Sequence, residues 1–295
     1  MSALWMLAAA FLFSVMGVCI KFAASLYGYN TAEIVFYRSL IGLITMWVWM
    51  RKQGEPIYTH NWSMHLHRSI LGVTAMALFF AAITQLPLAT AIALSYTSPI
   101  WIAIILALAP LVRKRHRPPD EKLLIAVFIS FVGVICLLQP TIENNQLSSG
   151  LFALLGGLMA AFAYLTVREL GQRGESETRT VFYLSAVGIV ASTLWMSFSD
   201  LHTHTPNGIL LLSGVGISAT LAQLAMTRAY RLGNTILTAN LQYTGVVFSA
   251  FWGILIWHDH LNIMSWIGIL LIICSGIAST LLRPPLTDDT PSTPT

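Results

Sequence analysis

Long apolar runs, separated by short polar links, account for almost the whole chain. A helix needs about 20 apolar residues to cross the hydrocarbon core of a bilayer. Links such as YGYN and TQLP are too short to form a soluble domain. No basic segment precedes the first apolar run, so we expect it to be a retained helix. The pattern predicts an all-α integral membrane protein with ten transmembrane helices, at residues 2–27, 31–50, 64–85, 88–112, 121–139, 149–169, 179–199, 207–229, 234–257 and 262–282.

The basic residues are concentrated at alternate links. If the N-terminus lies in the cytoplasm, fourteen of the sixteen lysines and arginines, Arg68 among them, fall at cytoplasmic ends of the predicted helices. Lysine and arginine are enriched on the cytoplasmic side of membrane proteins, so we predict that both termini are cytoplasmic. The other two basic residues, Lys21 and Arg38, lie within predicted helices. The basic link RKRHR at 113–117 is expected to fix this orientation and to contact anionic lipid rather than nucleic acid.

The chain also repeats itself at a spacing of 144 to 147 residues. VFYRSLIG at 35–42 returns as VFYLSAVG at 181–188, and LLQP at 137–140 returns as LLRP at 281–284. A third block lies between them, in which Leu94, Tyr96 and Thr97 correspond to Leu241, Tyr243 and Thr244. Three blocks in the same order favour an internal duplication over chance similarity between apolar helices.

Each half contains five predicted helices, an odd number, so the second half enters the membrane from the opposite side. We predict a first five-helix repeat at 1–140, an inverted five-helix repeat at 149–283 and a Pro- and Thr-rich cytoplasmic tail at 284–295, expected to be disordered. Inverted repeats are typical of secondary transporters, whose substrate site lies near the middle of the membrane, where the halves meet. The second half has Leu184 where the first has Arg38, so the shared phrase is interpreted as scaffold and the arginine as an addition to one half.

The composition and motifs of the chain limit the kinds of functional site that we expect in it. Charged residues make up 9% of the chain and apolar residues 56%, against roughly 25% charged residues in soluble domains. The three cysteines lie apart in apolar runs, which favours neither a disulfide framework nor a zinc site. The histidine pairs HTH and HDH lack a third ligand. With no hydrolase, metalloprotease or ATP-binding motif in the chain, we expect no metal, no cofactor and no enzymatic activity.

Two motifs resemble a known family. The E-x-x-x-x-R of Glu33 to Arg38 and the run LPLATAIALSYTSPIW at 86–101, with the two five-helix halves, resemble the EamA-type branch of the drug/metabolite transporter superfamily. The resemblance implies a multi-pass carrier of small organic solutes in the cell inner membrane. The segments EIVFYRS and RSILG…FFAAITQLPLA are also similar to that superfamily's riboflavin and S-adenosylmethionine importers.

Polar groups at membrane depth are the candidate substrate-binding residues. Arg38 lies about 12 Å below the outer end of its helix, and Lys21 lies at a similar depth. Either can bind an anionic group or extend to external lipid headgroups, and Glu33 can pair with either. Pro99 frees the carbonyl of Ser95 within the segment SYTSP, which the repeat pairs with NLQYTG at 240–245. These segments either line a cavity or hold helices together. The full predicted set is Arg38, Lys21, Tyr37, Ser95, Tyr96, Ser98, Pro99, Trp101, Gln223, Asn240 and Tyr243.

The predicted function is that of a secondary transporter working by alternating access. Its predicted substrate is a small organic metabolite, either an amino-acid-like zwitterion or a flat heterocycle such as a flavin or S-adenosylmethionine. A broad-specificity drug/metabolite exporter is the alternative, and a channel is the alternative from another class, although no polar group repeats more than twice as a filter requires. Proton coupling, solute exchange, the direction of transport and a homodimer are left open. The expected partners are the substrate and membrane lipids.

Overall fold

The computed structural model describes residues 2–83, 88–112, 120–139, 147–198, 202, 205–258 and 260–281. The predicted tail at 284–295 and the RKRHR link lie outside the described residues. The part of the chain that is described forms helices and no strand. The helices are α1 (Ser2–Tyr27), α2 (Thr31–Gln53), α3 (Trp62–Ile83), α4 (Leu88–Ser95), α5 (Ser98–Val112), α6 (Glu121–Leu138), α7 (Leu147–Gln172), α8 (Glu177–Met196), α9 (Pro206–Leu232), α10 (Thr235–Leu241), α11 (Thr244–Trp257) and α12 (Ile263–Leu281).

Within those residues, nine segments are long and apolar enough to cross a membrane, each matching one predicted helix. The remaining predicted helix, at 64–85, corresponds to α3, whose first two turns carry His65, His67 and Arg68. Many large apolar side chains point outward from the bundle, among them Leu210 and Ile263. Such a surface is stable only in lipid. The all-α membrane architecture predicted from the sequence is therefore confirmed.

Two of the membrane-crossing segments are discontinuous. The segment at 88–112 is interrupted at Tyr96 and Thr97, where α4 ends and α5 begins. The segment at 235–257 is interrupted at Gln242 and Tyr243, between α10 and α11. At each break a threonine hydroxyl donates a hydrogen bond to a backbone carbonyl oxygen. Thr97 Oγ1 donates to Leu94 O at 2.6 Å, and Thr244 Oγ1 donates to Leu241 O at 2.7 Å. The breaks place the polar side chains of Ser95, Tyr96, Ser98 and Gln242 inside the bundle.

The repeated phrase VFY-x-S-x-x-G forms the contact between α2 and α8. Ser39 of α2 packs on Gly188 of α8, and Ser185 of α8 packs on Gly42 of α2. A Cβ atom added at Gly42 would lie 2.6 Å from Ser185 Oγ, and one at Gly188 would lie 2.5 Å from Ser39 Oγ. These distances are too short for van der Waals contact, so the glycines permit the helices to approach closely.

The other long contacts follow a regular pattern. Helix α1 packs along α9, α3 along α7, and α6 along α12. The α6–α12 contact is as close as that between α2 and α8, because a Cβ added at Gly133 would lie 2.8 Å from the Gly268 carbonyl oxygen. Ser130 and Ser275 join these two helices through a hydrogen bond between their hydroxyls.

Candidate functional site

A cavity of about 600 Å³ lies inside the bundle. Its volume falls within the range of small-molecule sites, roughly 300–1,000 Å³. Most of its wall is apolar, and its described lining contains no aspartate or glutamate. At one end the lining reaches Leu138, at the end of α6, and Leu261, which precedes α12. The polar groups in its wall are Arg38, Arg68, Ser95, Tyr96, Ser98, Tyr164, Gln223, Gln242 and Ser249.

Arg38 reaches the cavity from α2. The helix starts at a reciprocal cap: Asn30 Oδ1 accepts from the Glu33 amide at 2.9 Å, and Glu33 Oε2 accepts from the Asn30 amide at 2.9 Å. This fixes the first turn and hence the face on which Arg38 lies, two turns further on. Arg38 Nη1 donates to Met76 Sδ at 3.4 Å, and its buried Nε has no protein partner. A thioether is a weak acceptor and leaves the positive charge without a counter-charge.

Arg68 is a second cavity arginine. The charge pattern assigns it to a cytoplasmic helix end, but the structure places it in the cavity wall, 2% exposed. Its Nη2 donates to Gln223 Oε1 at 3.3 Å, while Nε and Nη1 are buried without a partner. Gly72 lies one turn later on α3, where a Cβ would make an ordinary van der Waals contact with Nη1 at 3.5 Å. Its position, the seventh residue of α3, resembles that of Arg38, the eighth residue of α2, and depth counting could have found it.

The two helix breaks supply most of the neutral polar groups. Ser95, Tyr96 and Ser98 come from the α4–α5 break, and Gln242 comes from the α10–α11 break. Gln242 Nε2 donates to the Tyr164 hydroxyl at 3.4 Å, and Ser95 Oγ and Gln242 Oε1 are buried without partners. Sequence reasoning placed neither Tyr164 nor Gln242 in the predicted set. These groups can donate or accept hydrogen bonds in any orientation a ligand requires.

Five of the predicted binding residues line the cavity: Arg38, Ser95, Tyr96, Ser98 and Gln223. Lys21 does not, because its Nζ lies 3.7 Å from the ring centroid of Trp257 on the exposed side of α1. Tyr37 packs in an apolar cluster with Tyr29, Ile34 and Leu212. These two residues share the depth of Arg38 and differ in the helix face on which they lie.

The remaining predicted residues lie behind the residues that line the cavity. Trp101 packs against the buried core around Ile102 and Tyr230, and Pro99 is buried in the first turn of α5. Asn240 is 2% exposed and donates from Nδ2 to Ser279 Oγ at 2.6 Å, which ties α10 to α12. Tyr243 is fully buried, and its ring stacks 6.4 Å from that of Tyr96. Their contacts support the cavity wall rather than form its surface.

Glu33 pairs with neither Arg38 nor Lys21. Its Oε1 accepts from the His202 amide at 2.8 Å, and its Oε2 lies 3.0 Å from His202 Nδ1. The carboxylate therefore joins the start of α2 to the connection that precedes α9.

A polar cluster closes the other end of the bundle, where α2 ends and α8 begins. We call this the basic-end cluster, and it consists of Glu55, Thr59, Asn61, His65, Glu175, Ser176, Thr178 and Arg179. Glu175 is 5% exposed and accepts from Arg179 Nη1 at 2.5 Å, from Asn61 Nδ2 at 2.8 Å and from the Thr59 hydroxyl. Burial raises the pKa of the Glu175 carboxyl, but the hydrogen bonds outweigh it and lower the pKa to about 2. The carboxylate is ionised at neutral pH.

Metal binding finds no support in this geometry. Among the described residues, no group of three histidine, cysteine or acidic side chains is placed to hold an ion. The arrangement is that of a ligand-binding cavity with cationic and neutral hydrogen-bonding groups.

Comparisons with known proteins find relatives that are named as transporters. The chain is 30% identical over 271 residues to the pseudopaline exporter CntI of Pseudomonas aeruginosa, an alignment covering 92% of each protein. It is 24% identical over 279 residues to the riboflavin transporter of Vibrio cholerae, covering 92% of this chain and 90% of that one. A solved crystal structure superposes with a TM-score of 0.82 at 17% identity, covering 95% of this chain and 98% of the other, and so shares its fold.

The model of the EamA-like transporter family matches residues 1–139 and again residues 147–281. Together the two matches cover almost the whole chain. They confirm the predicted resemblance and identify a multi-pass membrane transporter rather than an enzyme. The chain belongs to the EamA-like transporter family.

Proposed function

We propose that the protein is a secondary transporter that carries a small organic metabolite across the inner membrane by alternating access. The observation that carries the proposal is the 600 Å³ cavity whose wall contains two broken helices at repeat-related positions. Broken helices at membrane depth are tolerated where they line a cavity. In secondary transporters such helices form the substrate site between inverted repeats.

The pattern of helix contacts supports two inverted halves, at 1–140 and 149–283. Exchanging the halves turns the α1–α9 contact into the α7–α3 contact, and both are extensive. The same exchange maps the α2–α8 and α6–α12 contacts onto themselves, as expected for helices that flank a two-fold axis. In this arrangement the halves meet at the cavity and rock about it, with both termini in the cytoplasm.

Contacts between charged side chains at the ends of the bundle control access to the cavity. With the basic-end cluster on the cytoplasmic side, the structure corresponds to a carrier closed to the cytoplasm. The cavity lining extends toward Leu261 at the opposite, external end. Opening toward the cytoplasm requires the connection at 54–61 to leave Glu175 and Arg179. The Glu33–His202 contact lies at the other end of the bundle and is formed in the same structure.

The substrate proposal starts from what the relatives' names share. One relative is named as an exporter of pseudopaline and another as a transporter of riboflavin, so both names denote an organic metabolite. A zwitterion or a flat heterocycle fits a cavity with arginine, hydroxyl and amide groups beside the Tyr96 ring. The direction of transport, and its coupling to protons or to an exchanged solute, have to be measured.

Counterflow in proteoliposomes tests the proposal. Vesicles that contain the purified protein are loaded with an unlabelled amino acid, riboflavin or S-adenosylmethionine and diluted into the labelled compound. A carrier gives saturable uptake that depends on the internal compound and falls in Arg38→Ala. Conductive flux that does not saturate would contradict a carrier and support a channel. Uptake of many unrelated lipophilic compounds, unaffected by Arg38→Ala, would instead identify a broad-specificity exporter.

A further inference from the structure

The cavity contains two permanent positive charges and no acidic side chain in its described lining. Arg38 and Arg68 enter it from different helices, and the other polar groups in the wall are neutral hydroxyls and amides. An arginine remains protonated in proteins and cannot relieve its burial by losing the proton. The wall therefore presents a net charge of two that the protein does not neutralise there.

The hydrogen bonds of both guanidinium groups are incomplete. Each guanidinium has five N–H donors. Arg38 has a bond to a thioether sulfur and a buried Nε without a partner. Arg68 has one bond to an amide oxygen and two buried nitrogens without partners. Buried donors are normally satisfied, so these atoms mark the place of a missing acceptor.

Arg179, which is 13% exposed and lies outside the cavity, has carboxylate partners. Arg179 lies 2.5 Å from Glu175 and 3.2 Å from Glu55. A planar guanidinium fits a carboxylate through paired hydrogen bonds, and that pairing offsets much of the cost of burial. In the cavity none of the described lining residues supplies such a carboxylate.

We infer that the substrate is an organic anion carrying two carboxylates, one for Arg38 and one for Arg68. This inference rests on the proposed function: it keeps the carrier of a small organic metabolite and replaces the zwitterion or flat heterocycle by a dianion. Ser95, Tyr96, Ser98, Tyr164 and Gln242 then bind the neutral polar groups between the carboxylates. Gln223 acts as a positioning residue, because its side-chain oxygen holds the Arg68 guanidinium against the wall.

A matched series of ligands tests the charge requirement on the unmodified protein. Succinate, glutarate and adipate are compared with the monocarboxylates and neutral diamides of equal length, by thermal stabilisation of the detergent-purified full chain and by inhibition of counterflow. One dicarboxylate length should bind at least about 30-fold more tightly than its monocarboxylate, the value expected when one buried charge pair is lost. Equal binding across the series, or tighter binding of the diamides, would overturn the inference.

Charge-neutral variants locate the two carboxylate sites. Arg38→Gln and Arg68→Gln should each weaken dicarboxylate binding until the preference over the monocarboxylate is lost, whereas Arg38→Lys and Arg68→Lys should retain part of that preference. Lys21→Gln is the matched control, since it removes a cation outside the cavity and should change nothing. If Lys21→Gln and the two arginine variants behave alike, the arginines do not bind the carboxylates.

The outcomes separate this inference from the proposed function. Saturable counterflow of a neutral or zwitterionic metabolite, unaffected by the arginine variants, would refute the dianion and leave the carrier intact. Non-saturating, conductive flux of the dicarboxylates would retain the charge selectivity and refute the carrier.

Discussion

Buried arginines occur at two levels of the bundle, in opposite surroundings. In the basic-end cluster, Arg179 is bound by Glu175 at 2.5 Å and by Glu55 at 3.2 Å. In the cavity, Arg68 meets only the amide oxygen of Gln223, and Arg38 meets only the sulfur of Met76 among the described residues. The same side chain is therefore neutralised by the protein at one level and has no described counter-charge at the other, where we propose that a ligand supplies it.

The difference separates closure from binding. A buried ion that has its partners holds two segments together, and removal of one partner leaves the other charge stranded. A buried ion without partners lowers the stability of the empty protein and gains most when an anion arrives. The Glu175–Arg179 pair is thus formed without a ligand, whereas the cavity arginines gain a counter-charge only if an anion binds, as we infer.

Glu175→Ala is expected to have the largest effect, because it leaves Arg179 and the polar side chains of Thr59 and Asn61 without their shared acceptor. Breaking a buried ion pair in this way costs about 3–5 kcal/mol, seen as a lower unfolding temperature in detergent. Glu169→Ala is the control: it removes a pair with Arg173 in which both side chains are about half exposed, worth at most about 1 kcal/mol. Equal losses in the two variants would show that the cluster is not a special closure.

Arg38→Leu should raise the stability of the ligand-free protein, whereas Glu175→Ala should lower it. Leu184 already occupies the repeat-related position in α8, so leucine is compatible with this helix contact. Replacing an unpaired buried cation by an apolar side chain should stabilise the ligand-free protein by about 1–4 kcal/mol and abolish saturable transport. Thermal unfolding and counterflow measure the two effects. Arg179→Leu is the contrast and should destabilise, so a fall in stability in both variants would mean that Arg38 is structural.

Much of the fold follows from the sequence because the bilayer demands it. Each crossing needs a long apolar run, and close helix contacts need small residues, so both the crossings and the S-x-x-G contact are visible as patterns. The break at Gln242 and Tyr243 leaves no such pattern, since no proline stands there. That break depends on tertiary packing, and only its repeat partner at Tyr96 points to it.

The site was harder to predict, because depth along a helix does not determine which face a residue occupies. Lys21 and Arg38 have similar depths, yet Lys21 lies against Trp257 and Arg38 lies in the cavity. Counting basic residues at helix ends assigns Arg68 to the group that indicates how the protein is oriented in the membrane. In the structure its guanidinium lies in the cavity wall and donates to Gln223 across the bundle.

Gln223→Leu should affect ligand binding more than stability. The variant keeps both cavity charges and removes the oxygen that positions Arg68, and a hydrogen bond to a charged group contributes about 1.5–3 kcal/mol. We expect at least about a tenfold rise in the half-saturation concentration for counterflow, with the maximal rate little changed. Gln53→Leu, at the exposed end of α2, is the control. A change in the rate alone would assign Gln223 to the conformational step instead.

The pH dependence of stability gives the smallest effect and tests whether the cluster carboxylate is the ionised partner. The pKa of Glu175 is lowered from 4.5 to about 2 in the folded protein. A group with a lowered pKa stabilises the fold above its unfolded pKa and loses that contribution as pH falls toward the folded value. The difference in unfolding temperature between the unmodified protein and Glu175→Gln should therefore stay constant from pH 8 to about 5 and shrink from about 4.5 toward 2. If the difference grows between pH 7 and 5, the change would point to His65, which lies 3.1 Å from the same carboxylate and on protonation gains an ion pair that only the unmodified protein can form.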